Sequence, residues 1–217
     1  MAVFLDDKRF SEGLKRLSLN ITDEQKEKLD LFASLLFKWN KTFNLTSLTN
    51  NDDILTHHIL DSLAAVSVFQ KYIKPGCRLL DVGSGGGLPA IPMAIIFPDC
   101  SFTLIDTVGK KTAFLTQVAL TLKLSNVTVL HDRVENVHAD NFDLISSRAF
   151  ASLSLFIKLS KHLLKPDGFW LALKGQYPTD ELQQIENNFK YSVLPIQVPF
   201  LEENRNIVIV PNDNLSI

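Results

Sequence analysis

Arg78-Leu-Leu-Asp-Val-Gly-Ser-Gly-Gly-Gly-Leu-Pro-Ala-Ile-Pro-Met-Ala-Ile-Ile96 decides how the rest of the chain is read. Leu79, Leu80 and Val82 make a short apolar run around Asp81, a glycine cluster follows, and Leu88, Ile91, Ala94 and Ile95 then recur at helical spacing. That is a strand, a tight turn and a helix. Gly83, Gly85, Gly86 and Gly87 allow positive φ and close approach of a ligand, and the N-terminus of the following helix is expected to present N–H groups. Asp81 either holds this turn by accepting backbone hydrogen bonds or faces an ammonium group of the ligand.

The identity of that ligand turns on spacing. A dinucleotide fingerprint counted from Gly83 and Gly85 needs its third glycine where Leu88 stands, and the chain has G-x-G-x-G instead. This argues against a nicotinamide oxidoreductase. A nucleoside with an amino-acid tail needs only close backbone approach and a hydroxyl-binding acid beyond. Asp106 ends the next apolar strand, Phe102-Thr-Leu-Ile105, at the separation where an acid reaches ribose hydroxyls. S-adenosylmethionine is the expected cofactor, with S-adenosylhomocysteine as product.

Outward from this stretch, Pro75-Gly76 opens an alternation of strands and helices. Strands are predicted near 78–83, 102–106, 127–130, 143–147, 168–174, 192–200 and 206–210. Helices are predicted near 88–97, 110–123, 151–164 and 179–188. Such alternation implies an α/β fold, a mostly parallel seven-stranded sheet with ligands at the carboxyl ends of its strands. The last two strands lack a helix between them, so Glu202-Glu-Asn204 is read as a hairpin turn and the last strand as antiparallel, the order of Rossmann-like class I methyltransferases. Residues 74–217 form this core in the expected division, and residues 1–73 an N-terminal helical cap. There, Thr22-Asp-Glu-Gln25 starts a helix carrying a stripe of Leu29, Phe32, Leu36 and Trp39, with Trp39 and Phe43 expected in the core. Small polar residues over 38–48 break it, and a second helix is expected over 52–72.

Composition narrows the class. The chain has 217 residues, 46% hydrophobic and 21% charged, which suits one well-buried soluble unit. No apolar run is long enough to span a bilayer. Met1 to Phe10 places its charges on the wrong side of a short apolar patch for a secretory signal, so a cytoplasmic protein without a membrane partner is expected. Cys77 and Cys100 stand in no metal or redox spacing and are read as small buried residues. A net charge of −2 gives no global pull toward nucleic acid. Any such contact must come from a local basic rim, for which Lys110, Lys111, Arg133, Arg148, Lys174 and Arg205 are candidates.

Several strand ends carry chemistry. Val134 and Glu135 follow the third strand, where a loop beside a nucleoside site can read adenine through its backbone with Glu135 capping that edge, or where an ordinary solvated loop carries a stray ion pair. Arg148 closes the fourth strand and binds either a carboxylate or phosphate in bidentate fashion, or pairs with Asp143 or Asp106. The Asn/Asp-Pro-Pro-aromatic run of methyltransferases acting on exocyclic amines is absent, as is a nucleophilic cysteine after this strand. A ring nitrogen such as guanine N7 attacks a sulfonium methyl without a general base, so this absence fits such a target. His57 and His58 are adjacent and cannot share a helix face as metal ligands, so no metal is expected, whereas His58 and Asp61 can line the cleft as a polar pair.

With these residues laid out, the chain resembles the bacterial small-subunit ribosomal RNA methyltransferase G family, also called glucose-inhibited division protein B. The likeness runs through Trp39-Asn40, Asn44-Leu-Thr46, His58-Ile-Leu-Asp-Ser-Leu63, Asp81 to Ile96, Ile105-Asp106, Lys110-Lys111, Arg133-Val-Glu135, Ser147-Arg-Ala149, Leu173-Lys-Gly175 and Arg205. It implies methylation of N7 of a guanine, position 527 in the 530 loop of 16S ribosomal RNA, in the small ribosomal subunit, by a protein acting as a monomer. By position it puts cofactor contacts on Gly83, Leu88, Val134, Glu135 and Arg148, to which the residue-level reading adds Gly85, Gly87 and Asp106. Asn44, His58 and Asp61 become candidates for the catalytic side, and Lys174 and Arg205 for RNA. Departures are Ala90 for a usual glycine, Val134 for alanine and Asn206 for histidine. The rivals are a small-molecule methyltransferase and a non-catalytic RNA-binding or assembly factor that keeps the pocket as a relic; the latter would keep its function in Arg148→Ala and Asp106→Ala variants.

Overall fold

A computed structural model describes residues 4–46, 50–138 and 141–213. The chain opens with helix α1 (Asp7–Arg16), whose N-cap Asp6 accepts from the Arg9 amide. Helix α2 (Asp23–Phe43) starts at the expected capping box, Thr22 and Gln25 each bonding the other's backbone amide. The Gln25 amide nitrogen also donates to the carbonyls of Ile95 and Ile96, which ties the start of α2 to the end of a core helix.

The expected polar break over 38–48 begins later than the composition suggested, and 47–49 lie outside the described residues. Helix α2 continues to Phe43, and Asn44 closes it in the left-handed conformation at φ 48°. The second helical stretch is segmented into α3 (Asn51–Asp53), a π-helical turn over Ile54–Leu60, α4 (Asp61–Ala64) and α5 (Val66–Phe69). Nearly all of its side chains are buried from Ile54 to Val66.

The core follows as β1 (Arg78–Val82), α6 (Ala90–Ile96), β2 (Ser101–Asp106), α7 (Gly109–Thr121), β3 (Val127–His131), β4 (Phe142–Arg148), α8 (Leu153–Ser160), β5 (Leu164–Lys174), α9 (Thr179–Gln183), β6 (Ser192–Ile196) and β7 (Arg205–Pro211). Strand order is β3-β2-β1-β4-β5-β7-β6, with β1 to β5 parallel and β7 antiparallel to both neighbours. This is the expected Rossmann-like sheet.

Period-two alternation sorts the strands onto two layers. Leu79, Phe102, Leu104, Leu144 and Ile207 share one buried cluster with Phe32, Leu36, Ile59, Ile91 and Phe114. Leu80, Val82, Ile105, Ile145, Trp170 and Val208 share the other with Phe156, Ile157 and Leu182. The front helices therefore complete one layer together with α6 and α7. Each large side chain so buried is worth about 2 kcal/mol. Trp39 is half-buried instead of central, its ring lying 5.0 Å from Phe43 and 5.5 Å from Phe114.

Several boundaries moved, α9 among them, which ends at Gln183. Helix α8 stops at Ser160, where Ser160 Oγ accepts from the Trp170 indole, and the chain enters β5 at Leu164 with a register shift opposite Phe142–Leu144. Strand β6 ends at Ile196 because the Leu201 amide turns back to the Val198 carbonyl and Phe200 takes φ 68°. Alternation alone reads these apolar residues as more strand. Cys77 and Cys100 are both buried, and burial pushes the Cys77 thiol up to about 12. No helix among the described residues is long and apolar enough to cross a membrane.

Candidate functional site

The glycine turn sits at the carboxyl end of β1, against the end of β2. The amides of Gly83 and Ser84 both donate to the Ile105 carbonyl, at 2.9 and 3.1 Å, and the Gly87 amide donates to the Ser84 carbonyl. Gly85 donates to Asp106 Oδ2 at 2.9 Å. The turn's amides are thus largely used internally, and the turn is no cradle for phosphate.

Gly83, Gly85 and Gly87 all have positive φ, at 70°, 56° and 81°. Their surroundings differ. A Cβ on Gly83 would come within 2.6 Å of the Phe150 ring, and one on Gly87 within 2.7 Å of Ile91 and 2.8 Å of Leu115. At Gly85 the nearest atom is the Gly83 carbonyl oxygen at 3.7 Å, so only this glycine faces open space. Two of the three are fixed by packing of the protein on itself, and one leaves room for a ligand.

Asp106 is buried beside that opening. Its two oxygens accept the Gly85 and Val108 amides at 2.9 Å each, and Lys111 Nζ stands 3.7 Å away. A carboxylate has about four acceptor positions, so two remain for vicinal hydroxyls. Open backbone at Gly85 beside a carboxylate with spare acceptor capacity fits the adenosyl part of the expected cofactor. Leu88 is buried directly after the turn.

Asp81 is held by serine side chains, that of Ser146 and that of Ser84 in the glycine turn. Its carboxyl accepts from Ser146 Oγ at 2.7 Å across the β1–β4 pairing, where the two residues are register partners. Complete burial pushes its pKa up to about 6. Strand pairing was not readable from sequence, so Ser146 was missed.

On the side of the helical front section, Asp61 opens α4 directly after the π-helical turn and is 4% exposed. Its Oδ1 accepts from Arg205 Nε at 2.6 Å, and its Oδ2 from Arg148 Nη1 at 3.0 Å. Arg148 therefore pairs with Asp61, a correction to the Asp143 or Asp106 pairing considered above; Asp143 instead accepts from Lys165 and the Arg78 amide. Arg205 also donates to Glu203 and to the Asn204 carbonyl, and against the effect of burial the Asp61 carboxylate, with Glu203 after it, raises its pKa.

His58 is buried, and burial together with nearby Arg148 lowers its pKa to about 4. Its Nδ1 lies 3.0 Å from the His57 carbonyl, which can only accept, so the neutral ring carries its proton there. Its Nε2 accepts from Thr46 Oγ1 at 2.8 Å, and the Thr46 amide donates to Asn40 Oδ1. Asn40 and His58 are both buried members of this chain. Asn44, the residue singled out beforehand, is exposed at the end of α2.

The remaining candidates are spread out. Val134 is buried and Glu135 exposed in a 3-10 turn, with Arg133 Nη1 3.9 Å from the Glu135 carboxylate. Lys174 donates to both Glu181 oxygens, at 2.9 and 2.7 Å, and to the Ala151 carbonyl, which uses all three of its N–H groups. Phe150, overlooked in the sequence, covers Gly83 after Ala149 turns the chain at φ 55°. Its position two residues beyond the strand-end arginine was the available signal. Among the described residues no group of three His, Cys, Asp or Glu is placed to hold a metal.

The family model for rRNA small subunit methyltransferase G matches residues 25–208. The chain belongs to that family. It is 45% identical over 202 residues to the ribosomal RNA small subunit methyltransferase G of Polaromonas naphthalenivorans, covering 90% of this chain and 91% of that protein. It is also 45% identical to the protein of the same name from Chromobacterium violaceum, covering 91% and 93%. Among solved structures, magnesium protoporphyrin IX methyltransferase from Synechocystis with bound SAM aligns at TM-score 0.59 and 18% identity, over 88% of this chain and 98% of that one. A SAM-dependent methyltransferase from Aquifex aeolicus aligns at TM-score 0.56 and 16% identity, over 77% and 97%. These likenesses establish the class I methyltransferase fold.

Proposed function

We propose that this member of the family transfers the methyl group of S-adenosylmethionine to N7 of guanine 527 in the 530 loop of 16S ribosomal RNA, and that it does so as a cytoplasmic monomer acting on the small ribosomal subunit. Family membership over most of the chain supports the RNA target. The observation that carries the donor is the opening at Gly85 beside Asp106. Gly83, Gly85, Gly87 and Leu88 shape the donor's bed, Asp106 accepts its ribose hydroxyls, the Val134–Glu135 turn meets its base, and Arg148 meets its carboxylate.

When bound, the donor supplies an electrophilic methyl on a sulfonium, and attack by a ring-nitrogen lone pair breaks the S–CH3 bond toward sulfur without any proton being taken. The side chains fit such a reaction. Asp61 is committed to two arginines, Asp106 to two backbone amides, and His58 is neutral with both ring nitrogens bonded. These contacts hold all three side chains in place, so rate enhancement falls to alignment and exclusion of water. Asn44, exposed at the end of α2, and Arg205 at the start of β7 are the residues we place toward the RNA.

The test is transfer of labelled methyl to small subunits that lack the modification, compared with free 16S RNA and with a panel of small molecules. Label recovered as 7-methylguanine from the subunits is the expected result. Donor binding without transfer to RNA would overturn the target.

A further inference from the structure

Asp61 is a buried carboxylate whose two oxygens serve two guanidinium groups from distant parts of the chain, Arg148 at the end of β4 and Arg205 at the start of β7. As a stabilising device this is a poor choice, since desolvating three charges offsets much of their attraction. As a way of fixing geometry it is effective, because each guanidinium is held along a set direction.

The geometry is asymmetric. Arg205 spends Nε on Asp61, Nη1 on the Asn204 carbonyl and Nη2 on Glu203. Arg148 uses Nη1 alone, on Asp61 at 3.0 Å and, more distantly, on the His57 carbonyl at 3.5 Å. Its Nε and Nη2 have no partner among the described residues, and its side chain is 26% exposed. That pair of donors forms the edge of the guanidinium that accepts a carboxylate in bidentate fashion. Two residues on, Phe150 packs on Gly83, so the open edge belongs to the segment that folds back over the glycine turn.

We infer that Asp61 is a positioning residue, anchoring Arg148 by Nη1 so that its Nε–Nη2 edge is presented to the carboxylate of the methyl donor. The inference rests on the donor reading above. It makes Asp61 neither a base nor a target-side ligand, but the residue through which the helical front section sets the reach of a strand-end arginine. The π-helical turn before Asp61 fits this role, since such turns shift the direction of the residues that follow and recur at functional sites.

The measurement is calorimetric binding of S-adenosylhomocysteine and of 5′-methylthioadenosine, which shares the nucleoside but lacks the amino-acid carboxylate. Asp61→Asn keeps the size of the side chain and puts a neutral amide where the carboxylate that holds both guanidinium groups was. It is expected to weaken S-adenosylhomocysteine by about tenfold or more while 5′-methylthioadenosine changes by less than about twofold. Arg148→Lys should give the same selective loss. Equal weakening of both nucleosides, or no weakening of either, would overturn the positioning role and leave Asp61 a structural buttress. If Asp61→Asn does not fold, Asp61→Glu displaces the anchor while keeping its charge and is read by the same two ligands. A wild-type protein that binds neither nucleoside would overturn the donor reading as well.

Discussion

The candidate site is bounded by two walls made by different means. The wall at β1 and β2 is made of backbone: Gly83, Ser84 and Gly85 bond to Ile105 and Asp106, about twenty residues along the chain, and side chains intrude only where a glycine lets them. The other wall is made of side chains that meet across long separations, with Asp61 reaching Arg148 over 87 residues and Arg205 over 144. The first wall should fail through steric conflict, the second through loss of charge and direction.

The largest effect is expected where the backbone wall is tightest. Gly83→Ala needs φ near 70° and sets a methyl 2.6 Å from the Phe150 ring, so left-handed strain and overpacking add. Together they should cost about 4 kcal/mol in denaturant unfolding. Trimming Phe150 to Ala in the same chain should return part of it. A double variant no more stable than Gly83→Ala alone would show that backbone strain dominates.

Next come two buried titrating groups, one behind each wall, with opposite signs. Asp81 has its pKa raised by burial from 3.8 to about 6, so the folded chain holds that proton more tightly than the unfolded one. Its contribution is greatest below about pH 4 and is lost as pH rises to about 6. His58 is lowered from 6.5 to about 4, chiefly by burial, so its contribution is full above 6.5 and is lost as pH falls toward 4. Each shift of about two units corresponds to about 3 kcal/mol, and over pH 4 to 6.5 they oppose each other. Relative to wild type, Asp81→Asn should therefore gain stability with rising pH in this window, and His58→Gln should lose it. Urea midpoints at pH 4, 5, 6 and 7 measure both slopes, and parallel curves for all three proteins would contradict the assigned shifts.

This division also accounts for what was legible beforehand. All seven strands, the antiparallel last strand and the glycine turn follow from apolar periodicity and local spacing, which read contacts between residues close in sequence or alternating on a face. Asp106 was readable because it follows the turn at a near-fixed separation. The partner of Arg148 was not, because nothing local to Ser147-Arg-Ala149 points to a carboxylate in the front helices, and the π-helical turn that places it has no signature in a buried run such as Ile54–Leu60. The Asn40–Thr46–His58 chain escaped for the same reason. The end of β6 was misjudged because Val198 and Leu201 are apolar for packing and not for pairing.

A smaller effect on stability separates Gly85 from its neighbours. Gly85→Ala bears the left-handed penalty alone, about 1 kcal/mol, since nothing but a carbonyl oxygen at 3.7 Å meets the new methyl. The methyl does enter the space assigned to the donor. S-adenosylhomocysteine affinity should fall well beyond what the stability change suggests, and an unchanged affinity would move the donor away from this glycine.

The smallest effect concerns the basic rim. Lys174 gives its three N–H groups to Glu181 and Ala151, whereas Lys110 stands exposed at the start of α7, beside Asp106 in sequence. A lysine already paired releases no counterion from RNA when it is removed, whereas an exposed lysine on the contact face does. Lys174→Ala should leave the dependence of log K on log salt for 16S RNA unchanged and cost about 0.5 kcal/mol of stability, the usual worth of such a pair. Lys110→Ala should reduce that slope by about 0.7, one single-strand phosphate contact, with little change in stability. If Lys174→Ala reduces the slope instead, the lysine exchanges Glu181 for a phosphate on binding, and the side-chain wall of the site then extends along the end of β5 to α9.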